Sequence, residues 1–301
     1  MLEAIFAPQS LAVVGASPDP TKLGHRVLRN IVDNGYTGRI VAIHPTATSV
    51  LGHPAHPSIA AMPEPVDLAV VVVPAAAVLA VVEECGAKGI QGLIIITAGF
   101  KEVGGAGKAL ERTLIERMRH YGMRMVGPNC LGVIDTITPL NASFAALMPN
   151  PGGIAFMSQS GALCTAILDW SKTAGIGFSR FVSLGNKGDV DEVALLQAWG
   201  GDPQNRVILA YLEGIKMGQR LLKLPVLLQS KLQLLQLKAA RPRRVRARLP
   251  RTPARWLARK KPTRPHLCRA AFCAPQPWKS CSTMRWRLHT SRSAPAIASR
   301  S

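Results

Sequence analysis

"SLAVVGAS", residues 10–17, decides how the first half of the chain is read. Its apolar run has no polar alternation, so it predicts a short strand buried on both faces that runs straight into a glycine turn. "HRVLRNIVDNG" (25–35) follows, with apolar residues at i, i+1, i+4 and i+5 and a glycine stop, the pattern of a helix. Further strands are expected in "GRIVAIHP" (38–45), "VDLAVVVVP" (66–74), "IQGLIIITAGF" (90–100) and "MRMVGPN" (123–129). Helices are expected between them in "AAAVLAVVEECGAKG" (75–89) and "GKALERTLIERMRHYG" (107–122). Strands alternating with helices predict a parallel sheet with right-handed crossovers, a doubly wound α/β domain.

In that architecture ligands lie beyond the carboxyl ends of the strands. Those ends are rich in small residues: Gly15-Ala16-Ser17, Val73-Pro74-Ala75, Thr97-Ala98-Gly99-Phe100 and Gly127-Pro128-Asn129. Small residues let backbone N–H groups approach a phosphate, and a following helix N-terminus favours negative charge. The first turn is not GxGxxG, but Lys22 and Gly24 stand at the next helix entrance. One such turn is equally an ordinary strand–helix turn. Four on one edge predict a ligand site.

A second unit starts near residue 150. "GGIAFMSQSGALCTAILDWSKTAG" (152–175) reads as strand, turn and helix, and Ser158, Ser160 and Gly161 form a candidate anion cradle or plain N-cap. "GFSRFVSLGNKGDVDEVALLQAWGGDP" (177–203) repeats the pattern, and "NRVILAYLEGI" (205–215) is a strand ending at Glu213.

The 301 residues carry a net charge of +20, unevenly placed. Residues 1–223 hold 18 Lys and Arg against all 17 Asp and Glu, whereas residues 224–301 hold 19 basic residues, no acid and no glycine. The start, "MLEAIFAPQS", lacks a signal-peptide pattern, and no run reaches 18 apolar residues, so a cytoplasmic protein without a membrane span is expected. The cysteines have no CxxC or zinc spacing, and Cys85, Cys130 and Cys164 read as reduced thiols; no metal ligands are expected.

"VVGAS", "VVVPA", "TAGF", "GPNCLG", "SQSGAL", "SLGNKGDVD" and "YLEGI", in this order over residues 8–216, resemble the NDP-forming acid–CoA ligases. These include ADP-forming acetate–CoA ligase and the α subunit of succinate–CoA ligase. The resemblance implies a Rossmann-like CoA-binding domain at 1–130 and an incomplete flavodoxin-like domain at 150–223. Gly15, Ala16, Ser17, Lys22 and Gly24 would lie near the CoA phosphates. Val73, Pro74, Thr97, Ala98, Gly99 and Phe100 would line the pantetheine path, with Asn129 near the thiol and acyl end. Ser158, Ser160 and Gly161 would hold a phosphoryl group, and Glu213 would orient a phosphorylated histidine. The implied reaction converts acyl-CoA, ADP and phosphate to acid, CoA and ATP. ATP or ADP with Mg is expected only for a complete family enzyme, with an ATP-grasp domain or β-type subunit as partner. One small departure is His44-Pro45-Thr46, where relatives resemble Asn-Pro-Lys.

A larger departure is the missing phosphohistidine motif, close to SHTGSLAG, expected after "YLEG". Residues 250–258, translated with each codon taking the last base of one triplet and two of the next, permit SHTGSLAG. Residues 244–249 permit GARAAS, and 276–287 permit a family-like helix. The basic segment 224–301 therefore reads as an out-of-frame, disordered tail, with the break near residue 223, and the chain as unable to complete the ligase cycle alone. "LPVLLQSKLQLLQLK" (224–238) is the one stretch of it that could form an amphipathic helix. Two other readings stand beside this one. The first is a CoA-binding module of a protein acetyltransferase or of a regulatory protein. The second is a nucleic-acid binder using the basic tail, with Trp256, Trp278 and Trp286 stacking on bases; the motif match makes this the disfavoured one.

Overall fold

The computed structural model describes residues 2–214 and the backbone of 232–235. Helix α1 (Glu3–Phe6) leads into β1 (Ser10–Val14), α2 (Leu23–Asp33) and β2 (Arg39–Ile43). After β3 (Ser49–Val50) and β4 (His53–His56) come β5 (Leu68–Val71), α3 (Ala75–Ala87), β6 (Gly92–Ile95), α4 (Gly105–His120) and β7 (Arg124–Val126). The five strands expected from the apolar runs are all present. They pair in parallel in the order β2-β1-β5-β6-β7, with β4 parallel beside β2 and β3 antiparallel at the edge. The order steps outward on both sides of β1, the signature of a doubly wound sheet. Each central strand is buried along its length, which is why its sequence does not alternate.

A second sheet contains β8 (Gly132–Asp135), β9 (Leu140–Ser143), β10 (Asn150–Ser158), β11 (Gly177–Ser183), β12 (Val207–Tyr211) and β13 (Leu232–Leu235), in the order β13-β12-β10-β11-β8-β9. Helices α5 (Gly161–Ala174) and α6 (Glu192–Gly200) make its crossovers. Their boundaries follow side-chain chemistry. The Ser160 hydroxyl accepts from the Leu163 N–H, Asp191 accepts from the Ala194 N–H, and Gly175 closes α5 at φ +65°. The hairpin β8–β9 is antiparallel to its neighbours, so the second sheet starts at Gly132, before the expected boundary at 150. Its short strands escaped the sequence reading because residues 131–149 carry no long apolar run.

Residues 232–235 correct one expectation. The sequence of 224–238 allows an amphipathic helix, yet Leu232–Leu235 is a strand parallel to β12. β12 would otherwise offer an open row of N–H and C=O groups, and pairing them outweighs the weak helical preference of a short segment. The disorder expected of the rest of 224–301, the stacking roles of Trp256, Trp278 and Trp286, and the shifted-frame motif lie outside the described residues.

The two sheets share backbone hydrogen bonds. The loop after β11 runs beside β7: Asn186 N–H donates to Pro128 O at 2.8 Å, Gly188 N–H to Gly127 O at 2.9 Å, and Val190 N–H to Met125 O at 3.0 Å. The Asp189 carboxylate accepts from Arg124 Nε at 2.8 Å and from Met125 N–H at 3.0 Å. A Cβ at Gly185, where φ is +54°, would sit 2.4 Å from the carbonyl oxygens of both Pro128 and Asn129, so only glycine lets the loop come this close. Apolar packing continues across the junction, with Phe6 edge-on to the buried Trp199 at 5.7 Å. Cys85, Cys130 and Cys164 are free, and burial pushes each thiol up to about 12.

Candidate functional site

The carboxyl ends of β1, β2 and β5 meet at Gly15, whose φ of +91° turns the chain sharply after β1. Its N–H donates to Ile43 O at 3.1 Å, which ties the turn to β2. Helix α2 starts directly over it. A Cβ at Gly24 would lie 1.8 Å from the Gly15 carbonyl oxygen. Gly24 thus lets the helix entrance approach the turn, a packing role that sequence spacing did not separate from ligand contact. Ala16 is buried, Ser17 half-buried, and Lys22 exposed at the N-cap of α2. The loop between them is held by Asp19, which accepts from the Thr21 hydroxyl at 2.7 Å and the Thr21 N–H at 2.9 Å; these bonds keep its carboxyl below the usual range. His25 Nδ1 lies 2.9 Å from Ser17 O.

Beside this turn is a mainly apolar cavity of about 180 Å³, lined in part by Gly15, Pro45, Ile59 and Val73. His44 shapes its rim: Nδ1 accepts the N–H groups of Thr46 and Ala47 at 3.3 and 3.0 Å, which folds the His44-Pro45-Thr46 turn back on itself. A close-packed glycine turn, an exposed lysine at a helix entrance and an apolar slot match the phosphates and base of a nucleotide-like ligand such as CoA.

Along the same edge, Thr97 Oγ1 donates to Val73 O at 2.7 Å and joins two of the expected ligand turns. Pro74 is exposed at the N-cap of α3, and Ala98 is exposed. Phe100 corrects an expectation at the level of its side chain. The ring is fully buried in the core beneath the turn, so only backbone at this residue faces the edge. Its N–H and that of Gly99 donate to Glu102 Oε1. Burial pushes the Glu102 carboxyl up, and hydrogen bonds from the Asn186 amide, Gly99 and Phe100 outweigh that and hold it below its ordinary value.

Asn129 and Glu213, far apart in sequence, line one cavity of about 430 Å³ together with Lys101, Glu102, Gln159, Asn186 and Lys187. Asn129 sits at φ +58°, held by its N–H bond to Thr97 O at 2.9 Å. Gln159 Oε1 accepts from the Glu213 and Gly214 N–H groups at 2.7 and 3.1 Å. From the other side, the buried Lys187 Nζ donates to Gly214 O at 2.7 Å and pairs with Glu192 at 2.9 Å. Glu213 and Gly214 are thereby clamped through their backbone, with Glu213 itself exposed. Gln159, Asn186, Lys187 and Glu102 were not singled out from the sequence. The signal for Gln159, Asn186 and Lys187 was present in the quoted turns "SQSGAL" and "SLGNKGDVD", where large polar residues interrupt small ones, whereas Glu102 lies just past "TAGF".

The Ser158-Ser160-Gly161 cradle divides. Ser158 is fully buried, and its hydroxyl donates to Ser160 O at 3.1 Å and accepts the Ser160 N–H at 3.0 Å, so it builds the turn. Ser160 caps α5 at its exposed entrance, where a Cβ at Gly161 would meet nothing within 4 Å. No group of three or more His, Cys, Asp or Glu among the described residues could hold a metal ion, and no helix among them is long and apolar enough to cross a membrane.

Comparison with known proteins agrees with this layout. Residues 9–136 match the CoA binding domain and residues 151–261 the succinyl-CoA ligase-like flavodoxin domain. The chain is 46% identical over 222 residues to acetate–CoA ligase (ADP-forming) I of Archaeoglobus fulgidus, a match covering 74% of this chain and 32% of that protein. It is 42% identical over 247 residues to acetate–CoA ligase (ADP-forming) I subunit alpha of Pyrococcus furiosus, covering 81% of this chain and 54% of the other. Among solved structures, the dinucleotide-forming acetyl-coenzyme A synthetase 1 of Ca. Korarchaeum cryptofilum superposes with a TM-score of 0.76 at 40% identity, over 78% of this chain and 52% of that one. A second structure of that synthetase is a complex with phosphate and ADP. The chain therefore spans about a third to about half the length of these relatives. The chain therefore carries a CoA-binding domain followed by a succinyl-CoA ligase-like flavodoxin domain, and its relatives are ADP-forming acetate–CoA ligases.

Proposed function

We propose that this chain is the CoA- and acyl-binding part of an ADP-forming acid–CoA ligase. The observation that carries the reading is the continuous edge from the Gly15 turn through Thr97 to the Asn129–Glu213 cavity. It offers a phosphate turn, a path and a polar acyl end in the order of the parts of CoA. Gly15, Ser17 and Lys22 would meet the phosphates, and Val73, Pro74, Ala98 and Gly99 the pantetheine arm. Asn129 would meet the acyl end, and Ser160 with Gly161 a phosphoryl group at the entrance of α5. In the family reaction phosphate displaces the CoA thiolate from the acyl carbon, and the acyl phosphate then passes its phosphoryl group to a histidine and on to ADP. Glu213 would position that histidine. Nucleotide and Mg would enter with an ATP-grasp partner, a β-type subunit or a further domain.

Calorimetric titration of the full chain with CoA tests the reading. Saturable one-to-one binding, without ligase turnover in the absence of a partner, is expected. A chain that binds no CoA refutes it.

A further inference from the structure

Asn186 is buried, and its amide is surrounded by groups that can act in only one sense. Nδ2 lies 2.6 Å from Glu102 Oε2 and 2.7 Å from Glu111 Oε2. Carboxylates accept and cannot donate, so the NH₂ end of the amide must face them, and both of its hydrogens are used there. Lys101 pairs with Glu111 at 3.3 Å and also donates to the Asn186 carbonyl oxygen, which holds the backbone and the carboxylate together. The amide oxygen of Asn186 therefore faces the opposite way, toward Asn129, and accepts from Asn129 Nδ2 at 3.3 Å. An acceptor at that position requires that Asn129 also present its NH₂ end. Polarity thus passes in one direction from two carboxylates through Asn186 to Asn129, at the wall of the 430 Å³ cavity.

We infer that Asn186 is a positioning residue that fixes Asn129 as an N–H donor, so that the cavity selects a ligand carrying an acceptor oxygen at the acyl carbon. The proposal rests on the reading of this cavity as the acyl end of a CoA site. One Asn129 Nδ2 hydrogen is used on Asn186, and the second is available for a thioester carbonyl oxygen. Were Asn186 reversed, two carboxylates would face its amide oxygen. That arrangement leaves acceptors opposed to acceptors in a buried site, where unpaired polar groups are most costly. The preference is for one class of ligand: acyl-CoA thioesters over CoA thioethers of the same length.

The test compares acetyl-CoA with S-ethyl-CoA, which keeps the carbon chain and replaces the carbonyl by methylene, binding each to the full chain by calorimetry. Wild type should favour acetyl-CoA by about two- to tenfold, the range of one net neutral hydrogen bond. In Asn186→Ala the ratio should fall to near one, with the affinity for S-ethyl-CoA kept. A variant that merely disturbs the fold would weaken both ligands together. Equal affinities in wild type, or an undiminished ratio in Asn186→Ala, overturn the assignment while leaving CoA binding intact. Loss of all CoA binding in wild type overturns both this assignment and the reading on which it rests.

Discussion

Replacing Gly24 with alanine should lift helix α2 away from the Gly15 turn. The added methyl would lie 1.8 Å from the Gly15 carbonyl oxygen, 2.7 Å from its carbon and 3.1 Å from the Ala16 Cα, all backbone atoms that cannot swing aside. Reaching ordinary contact requires the first turn of α2 to withdraw by roughly 1.5 Å. Overpacking of this kind costs about 1–3 kcal/mol. Alanine recovers up to about 1 kcal/mol over glycine in a helix. A net loss of about 1–2 kcal/mol should lower the midpoint of thermal unfolding by about 3–6 °C for a domain of this size. The same displacement separates the turn N–H groups from the helix entrance. Loss of one charge-assisted hydrogen bond to phosphate should then weaken CoA binding by about tenfold or more. Calorimetric titration with CoA, beside a thermal melt, reads both effects. Gly161→Ala is the control, since nothing lies within 4 Å of its Cβ and α5 should be unchanged or slightly stabilised. A Gly24→Ala protein with wild-type melting and wild-type CoA affinity would refute the packing argument.

Other outcomes follow from charges outside the Asn129–Glu213 cavity and at its rim. Arg180→Met should cost about 3 kcal/mol. Arg180 Nε lies 2.9 Å from the fully buried Asp135 and Nη1 lies 2.6 Å from Asp202, so the truncation leaves a buried carboxylate without its cation. Burial already raises the Asp135 carboxyl. A raised carboxylate contributes most below its unfolded value and loses that contribution as pH rises, so the deficit in denaturant melts should shrink toward acid pH. For Glu102 the sign is opposite, because its folded value is lowered. Its contribution is present above the unfolded value of about 4.5 and disappears as pH falls through the folded one. Glu102→Gln should therefore flatten the loss of stability on the acid side, and an unchanged pH profile would count against the Gly99 and Phe100 hydrogen bonds.

Much of the fold could be read from apolar runs. β1, β2, β5, β6 and β7 are apolar stretches, and all but β2 run into a small-residue turn, so type and order followed directly. β3, β4, β8 and β9 were passed over because they are only two to four residues long and lie outside such runs. Leucine and glutamine at Leu232–Leu235 favour a helix locally, whereas the strand pairing depends on the open side of β12, which is 24 positions away in the matched register. The glycine turn after β1 was legible because backbone geometry demands glycine at Gly15, where φ is +91°. The cavity polarity was not. It depends on Glu102, Glu111, Asn129 and Asn186 meeting from three separate segments, and no spacing along the chain announces that meeting. Ser158 misled in the other direction, since a hydroxyl in a turn looks the same in sequence whether it faces solvent or closes the turn on itself.

The loop at residues 186–190 also guards against self-association. β7 is the last strand on its side of the first sheet, and an uncovered parallel edge of that kind can template pairing with another copy of the chain. Asn186, Gly188 and Val190 occupy the acceptors at Pro128, Gly127 and Met125, while Asp189 takes the Met125 N–H. A fragment ending near residue 150 would keep the whole first sheet yet lose this cover. Such a piece should be sticky in proportion to concentration, however well its own core is packed, and the second domain is in that sense a built-in chaperone for the first.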